Sequence, residues 1–202
     1  VEGAWAYPLK HTTPEPITLH RVMAEAAAQD VTHVAMEASS HGLDQRRLDG
    51  VILTAAGFTN FTQDHLDYHE TFDAYFDAKM GLFTRVLAED GVALIHTIGR
   101  SDPPGANAAW LDRYIFPGGY TPAMSEAMAA VEKERLVSTD VEVWRLHYAE
   151  TLKHWFDRFS ARMDAARAIY DERFVRMWRF YLAASEMGFR HNGQVVFQFQ
   201  LA

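Results

Sequence analysis

The sequence predicts an α/β fold with three layers: a mostly parallel sheet, an antiparallel carboxy-terminal edge strand, and helices on both faces. Short apolar stretches alternate with amphipathic stretches in the first half of the chain, which is typical of strand–helix units. The tail Val195–Leu201 alternates apolar and polar residues as a closing edge strand does. A composition of 49% apolar and 23% charged residues over 202 residues predicts a folded protein of one or two domains.

Hydrophobic periodicity and turn residues place the elements along the chain. In order, the first half is predicted to contain helix Leu19–Ala28, a buried strand Thr32–Glu37, strand Val51–Thr59, helix Thr71–Leu87 and strand Val92–Ile95. In the second half, apolar residues recur at helical spacing in two stripes, one from Tyr148 and one from Phe174. We interpret these stripes as core faces first and lipid-contacting surfaces second. Ligands of such a fold normally bind at the carboxyl ends of the strands.

Composition excludes several classes of protein. The 19 Lys and Arg against 27 Asp and Glu give a net charge of -8, and no run of Lys or Arg forms a basic stripe, which argues against a nucleic-acid partner. The absence of cysteine excludes a thiolate metal site and a Cys nucleophile. No window approaches 18 uninterrupted apolar residues, so no transmembrane segment is predicted. With no signal peptide after Val1, the sequence predicts a cytoplasmic protein.

Three motifs in the first part fall at or just after predicted strands. They are His11–Pro14, Met36–Arg47 and Phe58–His69. Their possible ligands for a divalent cation are Glu37, Asp64, His65 and His69. Helix capping is an equally simple explanation, because Asp64 and Ser39 could satisfy helix N-termini. The spacing alone leaves both interpretations open.

Together these motifs resemble the central domain of the Mur ligases, specifically the ligase that adds the third amino acid to UDP-N-acetylmuramoyl-dipeptide. The resemblance covers about residues 10–88. It implies that UDP-muramoyl-peptide is contacted by Thr12, Thr13, Ser39, Gln45 and Arg47. It also implies Mg²⁺ at Glu37 and His65. Lys79 matches the lysine that this family carbamylates, and the resulting anion could hold a second Mg²⁺ near the γ-phosphate of ATP.

The nucleotide loop of that family does not occur in the chain. ATP phosphates would be cradled by G-x-x-x-x-G-K-[ST], and no lysine here follows a glycine. The resemblance therefore implies residues that contact the substrate but no recognisable ATP site. We predict that Lys79 is not carbamylated in the isolated chain.

Four motifs in the second part point to another family. They are His96–Gly99, Tyr114–Gly119, His147–Leu152 and Tyr170–Trp178. In this order they resemble the carboxy-terminal half of the cyclopropane-fatty-acyl-phospholipid synthases, which transfer a methylene from S-adenosylmethionine to the alkene of phospholipid acyl chains. The resemblance covers about residues 87–202.

This second resemblance implies a bicarbonate site made by His96, the backbone of Ile98, and Tyr148. An imidazole, a main-chain N–H and a phenol are suitable donors to an anion because they add no net charge. Without the family, His96 and Tyr148 could simply satisfy each other. The methyltransferase Gly-x-Gly loop is absent, since no two glycines are separated by one residue, and the upstream cysteine ligand is missing.

The two resemblances meet within Leu87–Ile95, so we interpret the chain as a chimera of segments 1–88 and 89–202. A natural fusion, an engineered chimera and a recombined frame all fit. We predict that both segments fold as one cooperative α/β unit. Two functions remain open: a methyltransferase remnant that has lost its cofactor loop, and a binding module or ATP-dependent amide ligase fragment that keeps the UDP-muramoyl contacts.

Overall fold

A computed structural model describes residues 8–59 and 66–202. Helices form where apolar residues recur every three or four positions, and strands where they alternate. In chain order the elements are α1 (Pro16–Ala28), α2 (Ser40–Asp44), β1 (Leu53–Phe58), α3 (Leu66–His69), α4 (Phe72–Gly81), a π-helical turn (Leu82–Val86), β2 (Leu87–Arg100), α5 (Ala109–Tyr114), α6 (Met124–Lys133), β3 (Ser138–Trp144), α7 (Leu146–Ser160), α8 (Met163–Ile169), α9 (Glu172–His191) and β4 (Gln194–Leu201).

The strands form a mixed four-stranded sheet in the order β1-β2-β4-β3, with helices around it. β4 is antiparallel to both β2 and β3. The α/β class and the antiparallel carboxy-terminal strand are therefore confirmed. Within the sheet β4 lies between β2 and β3 and is therefore not the edge strand that the sequence predicted; the neighbour on each side explains why most of its residues are buried.

The described part of the chain divides into two compact units. Unit 1 comprises residues 8–56 and 66–92, and unit 2 comprises residues 57–59 and 93–202. The core of unit 1 is aliphatic and consists of Leu19, Leu43, Leu48, Val51, Ala56, Leu82 and Val86. The core of unit 2 lies between α7, α9 and β4 and consists of Ala149, Leu152, Leu182, Phe189 and Val196, packed by six partly buried aromatic residues.

Two predicted local structures are wrong. Thr32–Glu37 is not a strand: it is irregular and mostly exposed, and Val34 leaves 56% of its surface in solvent. The strand predicted at Val92–Ile95 is too short: β2 begins at Leu87 and ends at Arg100. Glu89 and Asp90 are exposed acidic residues near the start of β2, so the hydrophobic pattern did not indicate a strand there.

No helix among residues 8–59 and 66–202 combines the length and the apolar character that crossing a bilayer requires. The amphipathic stripes of α7 and α9 instead contribute to the core of unit 2. This agrees with their interpretation as core faces.

Candidate functional site

In unit 1, the hydroxyl of Thr13 joins two of the predicted motifs. It is only 1% exposed. Its Oγ1 donates to the carbonyl oxygen of Glu37 at 3.0 Å and accepts from the backbone N–H of Ser39 at 2.8 Å. A buried hydroxyl with both a donor and an acceptor partner fixes the chain on either side of it. Thr13 therefore holds the start of the Ser39 motif in place.

Ser39 is the N-cap of α2. Its backbone is extended, and its Oγ accepts from the N–H of Gly42 at 3.1 Å. Gly42 is needed at this point because a Cβ there would lie 2.5 Å from Cγ2 of Thr13. The capping interpretation of Ser39 is correct, and the same cap places Ser39 beside Thr13.

Arg47 completes the network. Its Nη1 donates to the carbonyl oxygen of Thr13 at 2.9 Å, and its Nε donates to Oε1 of Gln45 at 3.0 Å. Nη2 forms an ion pair with Glu15 at 3.0 Å, a partner that the sequence motifs did not reveal. Nε2 of Gln45 in turn donates to the hydroxyl of Tyr68 at 2.9 Å.

The structure therefore brings together four of the five predicted substrate-contact residues, namely Thr13, Ser39, Gln45 and Arg47. Thr12 is exposed and precedes the buried Thr13 in the chain. The arginine side chain is 13% exposed and its Glu15 partner 60% exposed. A bound anion could displace Glu15 more easily than the buried backbone partners, since an exposed ion pair contributes little free energy.

Of the three predicted magnesium ligands, the described residues include Glu37 and Lys79. The side chain of Glu37 is exposed, and the ammonium of Lys79 lies 5.0 Å from the ring centroid of Tyr75. His65 and Asp64 lie outside the described residues. His69 is buried, with its ring centroid 5.5 Å from that of His41. Across 8–59 and 66–202, no three His, Asp or Glu side chains are grouped closely enough to hold a metal ion.

In unit 2, His96 lies on β2 opposite Gln198 of β4. Nδ1 of His96 is 3.1 Å from Nε2 of Gln198. An amide nitrogen only donates, so Nδ1 accepts and the proton of a neutral imidazole is on Nε2. Gln198, which sequence reasoning missed, therefore orients the His96 ring and leaves Nε2 as its N–H donor.

Tyr148 lies in the first turn of α7 and is half-buried. Its ring centroid is 5.0 Å from that of Phe189 and 6.0 Å from that of Trp155. Burial raises the pKa of the Tyr148 phenol above its ordinary value, which keeps it protonated and able to donate. His96, by contrast, has Gln198 and the ring of Trp144 as partners. Each side chain is accommodated without the other.

Ile98 follows His96 by two residues on β2, so their side chains lie on the same face of the strand. Its side chain is 38% exposed, and its register partner on β4 is Val196. Its carbonyl oxygen accepts from the hydroxyl of Thr97 at 3.0 Å. The structure thus places two of the three predicted bicarbonate ligands on one strand and the third on α7.

Two open cavities of unit 2 lie beside the loop that follows β2, where the sequence suggested only a linker or a strand-to-helix loop. One of about 330 Å³ is lined by that loop, α5 and α9, and the other, of about 660 Å³, by the loop, α5 and Tyr120. Arg100 lines the first cavity. Its Nε donates to the carbonyl oxygen of Thr121 at 3.0 Å, and its Nη2 to the side-chain oxygen of Asn107 at 3.2 Å.

The described residues do not suit every cofactor and metal ion that the two resemblances imply. Neither cavity is lined by a glycine-rich loop that could cradle S-adenosylmethionine or ATP, and the described residues offer no metal cluster. An imidazole and a phenol are donor types that suit an anion such as bicarbonate, and the structure places them on β2 and α7.

Comparisons with known proteins agree with two origins. The family model described as Mycolic acid cyclopropane synthetase matches residues 47–199. Curated relatives include UDP-N-acetylmuramoyl-L-alanyl-D-glutamate--2,6-diaminopimelate ligases of Brucella melitensis, 55% identical over 100 residues, and Agrobacterium fabrum, 61% identical over 104 residues. These alignments cover 50% and 52% of this chain and 20% and 19% of the relatives. The chain thus spans about a fifth of their length.

Solved structures share the fold. The cyclopropane synthase MmaA2 from Mycobacterium tuberculosis superposes with a TM-score of 0.59 at 21% identity, covering 91% of this chain and 66% of that one. The mycolic acid cyclopropane synthase CmaA1, solved with SAH and CTAB, gives a TM-score of 0.58 at 21% identity over 90% of this chain and 66% of that one. The structural likeness covers nearly the whole chain, whereas the Mur ligase likeness covers about half of it.

Proposed function

Because the chain belongs to the mycolic acid cyclopropane synthetase family, we propose that residues 89–202 are the acceptor side of an S-adenosylmethionine-dependent methyltransferase that acts on alkenes of phospholipid acyl chains. The observation that carries this proposal is His96, which lies on β2 of the shared fold and is fixed as an N–H donor by Gln198. The SAH and CTAB in the solved CmaA1 support a methyl donor and a lipid-like acceptor for the family.

Bicarbonate would be held by His96, the backbone of Ile98, and the phenol of Tyr148. When bound, it would accept the proton whose removal lets the cyclopropane ring close. The chain's own contribution is to present an imidazole N–H, a main-chain N–H and a phenol O–H as hydrogen-bond donors. The Gln198 hydrogen bond sets which nitrogen of His96 carries the proton.

We further propose that these 202 residues bind without turnover. Positioning the donor against the acceptor can supply roughly 7–11 kcal/mol of barrier reduction. The sequence contains neither the Gly-x-Gly loop for S-adenosylmethionine nor the lysine-containing loop for ATP. The remaining residues would recognise an anion or an acceptor but would have no activated donor to use.

Bicarbonate titration tests this site. Bicarbonate should raise the melting temperature of the wild-type chain, by a free energy that approaches about 2.7 kcal/mol at 100 times the dissociation constant. His96→Ala should abolish the shift and Gln198→Ala should weaken it, while the exposed control His154→Ala should leave it unchanged. An equal shift in wild type and His96→Ala would contradict the proposal.

A second candidate function rests on the network of Thr13, Ser39, Gln45 and Arg47. We propose that unit 1 is a UDP-muramoyl-peptide binding module derived from a Mur ligase, without its ATP-dependent amide ligase activity. The ligand's anionic groups would compete with Glu15 for the Arg47 guanidinium, which already has a fixed orientation.

Calorimetry with UDP-muramoyl-dipeptide tests this second function. Arg47→Ala should remove the binding heat, whereas Arg46→Ala, at the exposed neighbouring arginine paired with Asp49, should not. Binding that survives Arg47→Ala would contradict the assignment. Because His96 variants retain the whole unit 1 network, the two candidate functions can fail separately.

A further inference from the structure

The smaller cavity of unit 2 carries charged and polar side chains that neither candidate function uses. Its volume of about 330 Å³ lies at the small end of the range of ligand sites, roughly 300–1,000 Å³. His96, Ile98 and Tyr148 are not among the residues that line it. Its wall includes one guanidinium, one carboxylate, three amides and one indole, which belong to Arg100, Asp102, Asn107, Asn192, Gln194 and Trp110.

Two neutral acceptors orient the guanidinium of Arg100. Its Nε donates to the carbonyl oxygen of Thr121, and its Nη2 donates to Oδ1 of Asn107. A guanidinium carries five N–H groups, so three remain after these two hydrogen bonds within the described residues. Gly105 leaves space beside them, because a Cβ there would lie 2.8 Å from Nη1. Arg100 therefore keeps a fixed orientation and several donors for a carboxylate.

The carboxylate of Asp102 lines the same cavity. Gly193 allows the backbone to come close to it, since a Cβ there would lie 2.5 Å from Oδ2 of Asp102. Across residues 8–59 and 66–202, no donor or cation is paired with this carboxylate. Arg100 and Asp102 thus share a cavity without forming an ion pair with each other. The cavity presents one positive and one negative group that do not neutralise each other.

A second carboxylate, that of Glu126, is close enough to be affected by the charge of Arg100. It accepts from the hydroxyl of Tyr120 at 2.6 Å and from the N–H of Ala123 at 2.8 Å. The hydrogen bond from Tyr120 is the main reason why the pKa of Glu126 lies below its usual value; the bond from Ala123 and the charge of Arg100 contribute less. Because Glu126 does not line the cavity, the guanidinium remains available to a ligand there.

We propose that this cavity binds a small zwitterion of the amino-acid class. The ligand's carboxylate accepts from the free N–H groups of Arg100. Its ammonium is attracted by the carboxylate of Asp102 and by the aromatic ring of Trp110, which an edge-to-face contact with Phe180 at 4.8 Å supports. Asn192 and Gln194 offer amides to a polar side chain. This site is separate from the proposed bicarbonate ligands and needs no methyl donor.

Charge complementarity favours a zwitterion over other small molecules. In a cavity of this size, an anion that reaches Arg100 is repelled by Asp102, and an amine that reaches Asp102 is repelled by Arg100. An apolar ligand would remove both charges from water without pairing either of them. A zwitterion pairs each charge and leaves the net charge of the site at zero.

Calorimetry with L-glutamine as the probe tests the proposal. The wild-type chain should bind L-glutamine. N-acetyl-L-glutamine, which lacks the ammonium, and L-glutaminamide, which lacks the carboxylate, should each bind about tenfold more weakly or worse, because each loses a charge-assisted contact. Asp102→Asn should weaken the binding of L-glutamine by about tenfold but should not weaken that of N-acetyl-L-glutamine. Arg100→Gln should weaken the binding of L-glutamine but not that of L-glutaminamide.

Two exposed residues that do not line the cavity provide matched controls. Arg113→Gln and Asp140→Asn remove the same charges and should leave binding near that of the wild type. Asp102→Asn breaks no hydrogen bond within the described residues, so it tests the proposal even if Arg100→Gln disturbs the loop. No binding of L-glutamine by the wild type, equal affinity for the two blocked probes and L-glutamine, or equal losses in the control variants would overturn the proposal. Tighter binding of inorganic phosphate than of L-glutamine would indicate an anion site and would also overturn it.

Discussion

The two units of the chain are stabilised by different kinds of interaction. In unit 1, hydrogen bonds from polar side chains accompany an aliphatic core: the buried Thr13 joins Glu37 to Ser39, and the exposed Arg85 donates to the carbonyl oxygen of Leu43 at 2.8 Å. In unit 2, the contact between α7 and α9 is filled by large apolar side chains. The stability of unit 1 therefore depends on the geometry of individual hydrogen bonds. The stability of unit 2 depends on how completely large apolar side chains fill the space between its helices.

The largest effect is expected in the core of unit 2. Phe189 is 2% exposed and packs against Tyr148, so Phe189→Ala should lower the free energy of unfolding by about 3–5 kcal/mol. Denaturant unfolding followed by tryptophan fluorescence would measure this, since four of the five tryptophans lie in residues 93–202. The control Phe180→Ala, at a site 57% exposed, should cost far less. Similar losses would show that α9 is not packed as described.

A smaller loss of stability is expected when the buried hydroxyl of Thr13 in unit 1 is removed. Thr13→Val keeps the shape of the side chain but leaves the carbonyl of Glu37 and the N–H of Ser39 without their partner, which should cost about 1–3 kcal/mol. Amide exchange at Ser39 should become faster. The adjacent exposed Thr12→Val is the matched control and should change little. If the two valine variants behaved alike, the buried hydroxyl would not organise this unit.

The smallest effect is a dependence on alkaline pH in unit 2. Burial raises the pKa of both Tyr148 and Tyr181 above the ordinary value of about 10. The stability that each contributes is full below that ordinary value and is lost as pH rises through the folded-state pKa. Replacing both with Phe should therefore flatten the fall in melting temperature above pH about 10. An unchanged slope would mean that neither phenol is desolvated.

The sequence predicted those parts of the fold whose residues alternate clearly between buried and exposed. α1, β1 and β4 lie where periodicity placed them. The proposed strand Thr32–Glu37 failed because its apolar run includes Val34, which stays in solvent. β3 went unnoticed because its residues are almost all exposed, so its only signal is pairing with β4.

The sequence predicted only those residues of the candidate sites that lie within the motifs. Motifs identified Arg47 and His96 but could not identify Glu15 or Gln198, because those partners come from separate segments that meet only after folding.

We propose that this chain carries the acceptor-side residues of two enzymes and completes neither reaction. The most direct measurement incubates the purified chain with labelled S-adenosylmethionine, bicarbonate and vesicles of unsaturated phospholipid, beside an intact cyclopropane synthase as positive control. We expect no label in the lipid above the level seen with His96→Ala, because the chain has no loop to hold the donor. Label transfer by the wild-type chain that His96→Ala abolishes would contradict the account.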